Sequence, residues 1–188
     1  MNDRNYRNLT LIVGPTGSGK SILISELLKT AEIYKVIPST TRACKHNEVE
    51  GKDYYFITWE EFRSLVENDQ MISSFESEGN YYGVTYEEFE RAMDKGLPVL
   101  WEITLDEALK IKMRYPNVKT VLVIAPLDVI RRRLEQKGIR AESLINSKLI
   151  EAKLILDEAQ RLDHIIVVEE DKFDKAAAQL KEIVFTSS

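Results

Sequence analysis

The chain has 188 residues, enough for one domain with a sizeable core and smaller inserted lobes. Its net charge of −5, with 30% charged and 44% hydrophobic residues, is that of an ordinary globular protein and argues against a polyanion-binding surface, so nucleic acid is not an expected partner. Cys44 is the only cysteine, which excludes an intrachain disulfide and suits a reducing compartment.

The opening residues Met1 to Asn8 are polar, and no apolar run reaches the length of a signal h-region or a membrane span. The expectation is a cytoplasmic protein with no membrane partner. Leu9 to Val13 is an apolar run of strand length, and Ser21 to Lys29 spaces Ile22, Leu23, Ile24, Leu27 and Leu28 as a helix does. Between them stands Gly14-Pro15-Thr16-Gly17-Ser18-Gly19-Lys20-Ser21, which fits the phosphate-loop pattern GxxxxGK[ST] at every fixed position. Its glycines let backbone N–H groups turn inward on an anion, and the helix dipole adds positive potential there. Gly14 to Ile22 are therefore the expected phosphate site of a nucleotide, with Lys20 reaching the outer phosphates and the Ser21 hydroxyl ligating Mg²⁺.

Ile33 to Ile37 reads as a second buried strand ended by Pro38, and residues 39 to 53 as a polar, function-bearing loop. Tyr54 to Ile57 follows as a strand. Thr58 and Glu61 form a capping box for a helix to about Glu67. Met71 to Phe75 and Tyr81 to Val84 then make a hairpin around Glu78-Gly79-Asn80. Thr85 and Glu88 cap a helix that stops at Gly96.

Pro98 to Ile103 is an apolar strand, Thr104 and Glu107 open a helix to about Tyr115, and Val118 to Ile124 is another apolar strand. A helix from Leu127 carries Arg131, Arg132, Arg133 and Lys137, with Arg140 beyond Gly138. A helical pattern covers about 141 to 161, Ile165 to Val168 is a last strand, and Lys172 to Phe185 a last helix. Strands alternating with helices around a phosphate loop predict an α/β fold: a P-loop NTPase-type parallel sheet with crossover helices. A small α+β lobe is inserted at about 38–95 into a core of 1–37 and 96–188.

With these pieces in place the chain resembles the guanylate kinase family over nearly its whole length. Besides the phosphate loop, the resemblance rests on Ser39-Thr40-Thr41-Arg42, on Glu48 to Phe56, on Gly79-Asn80-Tyr81-Tyr82-Gly83, and on Arg133-Leu134 before Lys137-Gly138. It implies an ATP- and Mg²⁺-dependent kinase that phosphorylates GMP, with the inserted lobe binding the acceptor and a helical lid at about 134–150. Carried over by resemblance, Arg42, Tyr54 and Tyr82 face the acceptor's phosphate, Lys20 and Arg133 the transferring group, and Glu102 the metal through water. Lys45, Lys137 and Lys148 stand where the family has arginines, keeping charge without the bidentate fork. Of the three consecutive arginines only Arg133 is read as functional, because a helix cannot aim three successive side chains one way.

The acceptor pocket departs from the family. Pro38 replaces a hydroxyl residue next to Ser39, and the guanine-reading carboxylates and serine are replaced by Ser73, Thr104 and Val84. Strand alternation turns Glu76 away from Ser73, while Glu102 shares a face with Thr104 and is the carboxylate available to be borrowed. Unpaired buried donors cost about 1–3 kcal/mol each, so losing two acceptors weakens GMP binding roughly a hundredfold. Three readings stay open: a nucleoside monophosphate kinase with GMP the family default, the same transfer to another small phosphorylated acceptor, and a catalytically silent interaction module. The partners expected are small nucleotides, with oligomeric state left open. Cys44 and His46, at poor ligand spacing, read as loop residues, and His164, Tyr81, Trp59 and Trp101 as structural.

Overall fold

In the computed structural model of the chain, which describes residues 6 to 186, strand β1 is Leu9–Val13 and all five of its residues are buried. Of the polar opening segment, residues 1 to 5 lie outside the described residues. Helix α1, Lys20–Thr30, buries Leu23, Ile24 and Leu27 as one stripe. Strand β2 is only Tyr34–Lys35 and is half-buried, shorter than the five-residue run expected. The Val36 N–H still bonds the Leu100 carbonyl at 2.9 Å, but the Ile37 N–H goes to the Glu88 carboxylate at 2.9 Å, and beyond Pro38 the chain enters a second sheet.

The expected loop at 39 to 53 begins instead as strand β3, Ser39–Thr40, and both residues are buried. Thr40 tolerates burial because its hydroxyl donates to the Tyr81 carbonyl at 3.0 Å and accepts the Arg42 N–H at 3.2 Å. Strand β4 is Tyr55–Phe56 and helix α2 is Trp59–Glu67, opened by the anticipated Thr58–Glu61 capping box. Strands β5, Met71–Ser77, and β6, Asn80–Thr85, are joined by the two residues Glu78 and Gly79. Both are left-handed, at φ 52° and 75°, matching a tight hairpin whose twist suits the strands.

Helix α3, Tyr86–Asp94, is capped by the Thr85 hydroxyl, which accepts the Glu88 N–H. The Glu88 carboxylate does not close the box. It is buried and accepts the Ile37 N–H at 2.9 Å and the hydroxyls of Tyr34 and Tyr55 at 3.2 and 3.3 Å. Burial, and then the negative carboxylate, push the Tyr34 phenol up to about 12. The remaining elements are β7, Val99–Glu102; α4, Leu105–Arg114; β8, Lys119–Ile124; α5, Leu127–Gln136; α6, Glu142–Asp157; β9, His164–Val167; and α7, Phe173–Phe185. The long pattern expected to 161 breaks after Asp157 into a short 3-10 turn at Ala159–Arg161.

The main sheet is parallel in the order β2-β7-β1-β8-β9, and a four-stranded mixed sheet runs β4-β3-β6-β5. The chain divides into two compact units, one of residues up to Ile33 and from Glu102 onward, the other of Tyr34–Trp101. The second unit is larger than the expected inserted lobe because β2 and β7 pack with α3. Tyr34 bonds Glu88, and Trp101 lies against Phe89 with ring centroids 6.0 Å apart.

Two polar groups fasten the first unit. Asp163 accepts from Lys112 and from both the N–H and the hydroxyl of Thr120, each at 2.8 Å. Lys119 is buried, and its ammonium donates to the carbonyls of Ile183, Val184 and Thr186 at 2.7, 3.0 and 3.1 Å, closing the end of α7. Burial pushes the Lys119 pKa down. Among the described residues no helix is long and apolar enough to cross a membrane.

Candidate active site

In the first unit the phosphate loop runs from β1 into α1. Gly17 and Gly19 take φ 88° and 99°, conformations that cost other residues steric strain, and a Cβ at Gly14 would strike the Val123 carbonyl oxygen. The glycines therefore answer both backbone conformation and close packing against β8. Helices α2, α3 and α4 each begin with a threonine hydroxyl bonded to the backbone, whereas no side chain caps α1, nor α5, α6 or α7. The Ile22 and Leu23 N–H groups return to the Gly19 carbonyl at 3.1 Å, while those of Lys20 and Ser21 lack intrahelical acceptors by helix geometry, leaving an anion as their natural partner.

Lys20 lies at this helix start, its ammonium 3.5 Å from the Glu102 carboxylate at the end of β7 and 3.4 Å from the Pro15 carbonyl. Ser21 and Ile22 are exposed. Arg133, from α5, donates through Nη1 to the carbonyls of Gly17 and Ser18 at 3.2 and 3.0 Å. Lys20, Glu102 and Arg133, from three separate elements, thus meet the loop. Pro15, Thr16 and Ser18 complete it, with the Ser18 N–H bonded to the Pro15 carbonyl.

Lys137 stands exposed at the end of α5, and Lys148 pairs with Glu151 on its own helix at 3.5 Å. Arg131 and Arg132, read as surface, have partners. Arg131 bonds Glu142 at 2.8 Å and Asn146 at 3.0 Å, tying α5 to the start of α6, and Arg132 pairs with Asp128 and Glu170.

In the second unit strand register sorts the expected acceptor residues. Ser73 pairs with Val84 and Phe75 with Tyr82, so these four share a face, and the Phe75 and Tyr82 rings stack at 5.5 Å. Thr40, opposite Tyr82, joins them. Ser39, opposite Gly83, falls on the other face with Glu76 and Tyr81, where Tyr81 packs on Phe62 at 5.6 Å. The bulge in β5 lies before Ser73, between Met71 and Ser73, so it does not return Glu76 to the Ser73 face.

Arg42 stands 5.2 Å from the Tyr54 ring and 5.8 Å from Phe56, and Tyr54 lies 6.1 Å from Tyr82. Glu48, whose role the sequence left unread, grips Arg42 through both carboxylate oxygens at 2.9 Å. Hydrogen bonding to Glu48 raises the Arg42 pKa, despite burial, and the same bond holds the Glu48 carboxylate below its usual range. Lys45 is exposed, its backbone N–H donating to Glu48 at 2.9 Å. Thr104, in the first unit, is spoken for in part: its hydroxyl accepts the Glu107 N–H as the cap of α4. Cys44 and His46 are exposed, and among the described residues no group of three or more His, Cys, Asp or Glu is arranged to hold a metal.

A parallel α/β sheet with an uncapped, glycine-built loop carrying Lys20 and Ser21 defines a P-loop nucleotide-binding protein. The guanylate kinase family model matches residues 6–187. The chain is 33% identical over 184 residues to the guanylate kinase of Desulfitobacterium hafniense (strain Y51), covering 97% of this chain and 91% of that protein. It is 31% identical over 180 residues to the guanylate kinase of Escherichia coli (strain K12), with coverages of 94% and 86%. The crystal structure of guanylate kinase from Anaplasma phagocytophilum superimposes with a TM-score of 0.75 at 28% identity, covering 96% of this chain and 86% of that one. The chain belongs to the guanylate kinase family.

Proposed function

We propose that this protein transfers the terminal phosphoryl group of ATP to a nucleoside monophosphate, GMP being the acceptor that family membership favours. The observation that carries the reading is the convergence of Lys20, Glu102 and Arg133 on a phosphate loop whose helix start no side chain caps. Phosphoryl transfer asks a protein chiefly to align two anions and offset charge on the moving group, so cations from separate elements suit it.

In this reading the loop of residues 14 to 22 cradles the phosphates of ATP through its backbone N–H groups, apart from Pro15, which has none, and Ser18 and Ile22, which donate to the Pro15 and Gly19 carbonyls, and Lys20 leaves Glu102 to meet the outer ones. Arg133 holds two loop carbonyls back, which turns the neighbouring N–H groups towards the anion. The exposed Ser21 hydroxyl and the Glu102 carboxylate are suited to hold Mg²⁺, directly and through water, and the ion when bound offsets charge on the phosphates. Residues 134 to 150 act as the lid that excludes water, with Lys137 and Lys148 supplying charge as it closes. Within the second unit Arg42, Tyr54 and Tyr82 bind the acceptor's phosphate and Ser73 and Val84 face its base; Thr104, in the first unit, is assigned to the base by family resemblance alone. Without the carboxylates that meet guanine's donors, base discrimination is weak.

The test is an ADP-release assay with ATP, Mg²⁺ and a panel of nucleoside monophosphates and sugar phosphates. Turnover with GMP, at an elevated KM, is expected. Turnover with sugar phosphates alone would overturn the acceptor assignment, and no ADP release with any acceptor would overturn the transfer.

A further inference from the structure

Arg42 is held in a way that its role as a phosphate ligand does not by itself require. Its Nη1 donates to the Ala43 carbonyl at 2.7 Å and to Glu48 at 2.9 Å, and its Nη2 donates to the other Glu48 oxygen at 2.9 Å. Glu48 is itself fixed. It accepts the Lys45 N–H at 2.9 Å, and its own N–H returns to the Lys45 carbonyl at 3.0 Å. The carboxylate therefore anchors the guanidinium to a closed turn, while the rings of Tyr54 and Phe56 lie beside the plane.

A guanidinium has five donors arranged as two forks. Glu48 takes the fork between Nη1 and Nη2, and Ala43 takes the outer Nη1 hydrogen. Nε–H and the second Nη2 hydrogen form a second fork, with the spacing of two phosphate oxygens, that meets no carboxylate or carbonyl among the described hydrogen bonds. Tyr54, whose ring lies 5.2 Å from the guanidinium carbon, is edge-on to Tyr82, which stacks on Phe75, so both tyrosines stand beside Arg42, and hydrogen bonding with Tyr82 adds to the rise of its pKa.

We propose that Glu48 is a positioning residue for the acceptor: it occupies one fork of Arg42 so that the other is presented, already oriented, to the acceptor's phosphate. This rests on the reading of Arg42 as a phosphate ligand given above. Preorganisation of this kind lowers the ordering cost of a flexible side chain, so its loss falls on acceptor binding and leaves the nucleotide loop alone. It also explains how a lobe with Lys45 in place of a second arginine keeps a bidentate grip: one arginine, held at both ends, supplies the geometry that a lysine does not.

The experiment compares steady-state kinetics of wild type, Glu48→Gln, Glu48→Asp and Arg42→Ala with GMP and ATP varied separately. Glu48→Gln keeps size and polarity but loses the charge-assisted fork, and should raise the GMP KM about tenfold with the ATP KM within twofold. Glu48→Asp, shorter but charged, should recover part of that loss. In an Arg42→Ala background, Glu48→Gln should add nothing. An unchanged GMP KM in Glu48→Gln, alongside a raised one in Arg42→Ala, would overturn the inference and leave the acceptor reading standing. A lowered GMP KM would also overturn it, since the carboxylate would then be competing with phosphate. A parallel rise in both KM values would mark a general structural role and overturn it too. If Arg42→Ala alone leaves the GMP KM unchanged, the acceptor reading itself fails.

Discussion

The ammonium of Lys20 lies 3.5 Å from the carboxylate of Glu102, the one at the start of a helix and the other at the end of a strand. The pair joins the two charged groups that the proposed reaction needs closest to the moving phosphoryl. Both side chains keep partial solvent access, so the pairing is a modest one that a triphosphate can displace. Replacing Lys20 with Ala should lower kcat by about 100- to 1000-fold, the loss typical of removing one preorganised charge-stabilising donor. Circular dichroism and melting temperature should stay near wild type, and an unimpaired kcat in a folded variant would remove Lys20 from the chemistry.

Arg133 makes two hydrogen bonds to the backbone of the phosphate loop, through a guanidinium that is only part-exposed. Arg133→Met keeps the aliphatic stem and removes the donors. It should raise the ATP KM and lower kcat together, about tenfold or more combined, because the loop is then free to rotate its carbonyls inward. Isothermal titration with ADP checks the binding part directly. A variant with wild-type ADP affinity and kcat would show that the two carbonyl bonds do nothing for the loop.

Under the proposed acceptor assignment, acids at positions 73 and 104 should improve use of GMP. Thr104→Asp retains an N-cap, since aspartate accepts the same first-turn N–H groups, so α4 should survive the change. Ser73 is buried, and Ser73→Glu places a carboxylate there that guanine's donors would satisfy only when GMP is bound. The expected outcome for the double variant is a lower melting temperature without ligand and a GMP KM reduced about tenfold, read as kcat/KM against AMP.

Asp163 gives a pH-dependent stability whose sign is fixed by its partners. Burial pushes its carboxyl up, but the hydrogen bonds from Lys112 and Thr120 outweigh this and hold it below the ordinary value. A folded pKa below the unfolded one stabilises the fold above the unfolded pKa, near 4, and the contribution disappears as pH falls through the folded value. Asp163→Asn should therefore cost about 1–2 kcal/mol at pH 7, allowing for partial exposure, and converge on wild type as pH drops below about 4. Urea denaturation at several pH values measures it; parallel curves for the two proteins throughout would refute the linkage.

The parts of this fold that the sequence announces are those with short-range chemistry. The apolar run at Leu9–Val13, the glycines before Lys20 and the Thr58–Glu61 box are each decided within a few residues, and each appears where expected. Misjudged segments depend on distant partners. Ser39 and Thr40 look too polar for a strand until Tyr81, forty-one positions from Thr40, is seen to accept the Thr40 hydroxyl. Glu88 fits a capping box, yet its carboxylate is claimed by Ile37, Tyr34 and Tyr55. Around the site, the motif points to Lys20 and the family resemblance to Arg133, and both lie at the phosphate loop. The face assignment of Ser39 was not legible, because it follows from a two-residue strand's register, and neither was Glu48, whose meaning arises only when its loop folds back on Arg42.

Lys119 opens strand β8, yet the three oxygens that accept from its ammonium belong to residues 64 to 67 positions further along. Until that far segment arrives, the inner strand carries a charge in apolar surroundings with no oxygen to receive it. Loosening at the tail of α7 and loosening at the head of β8 are accordingly one event, and amide protons in the two places should trade with deuterium on a shared clock.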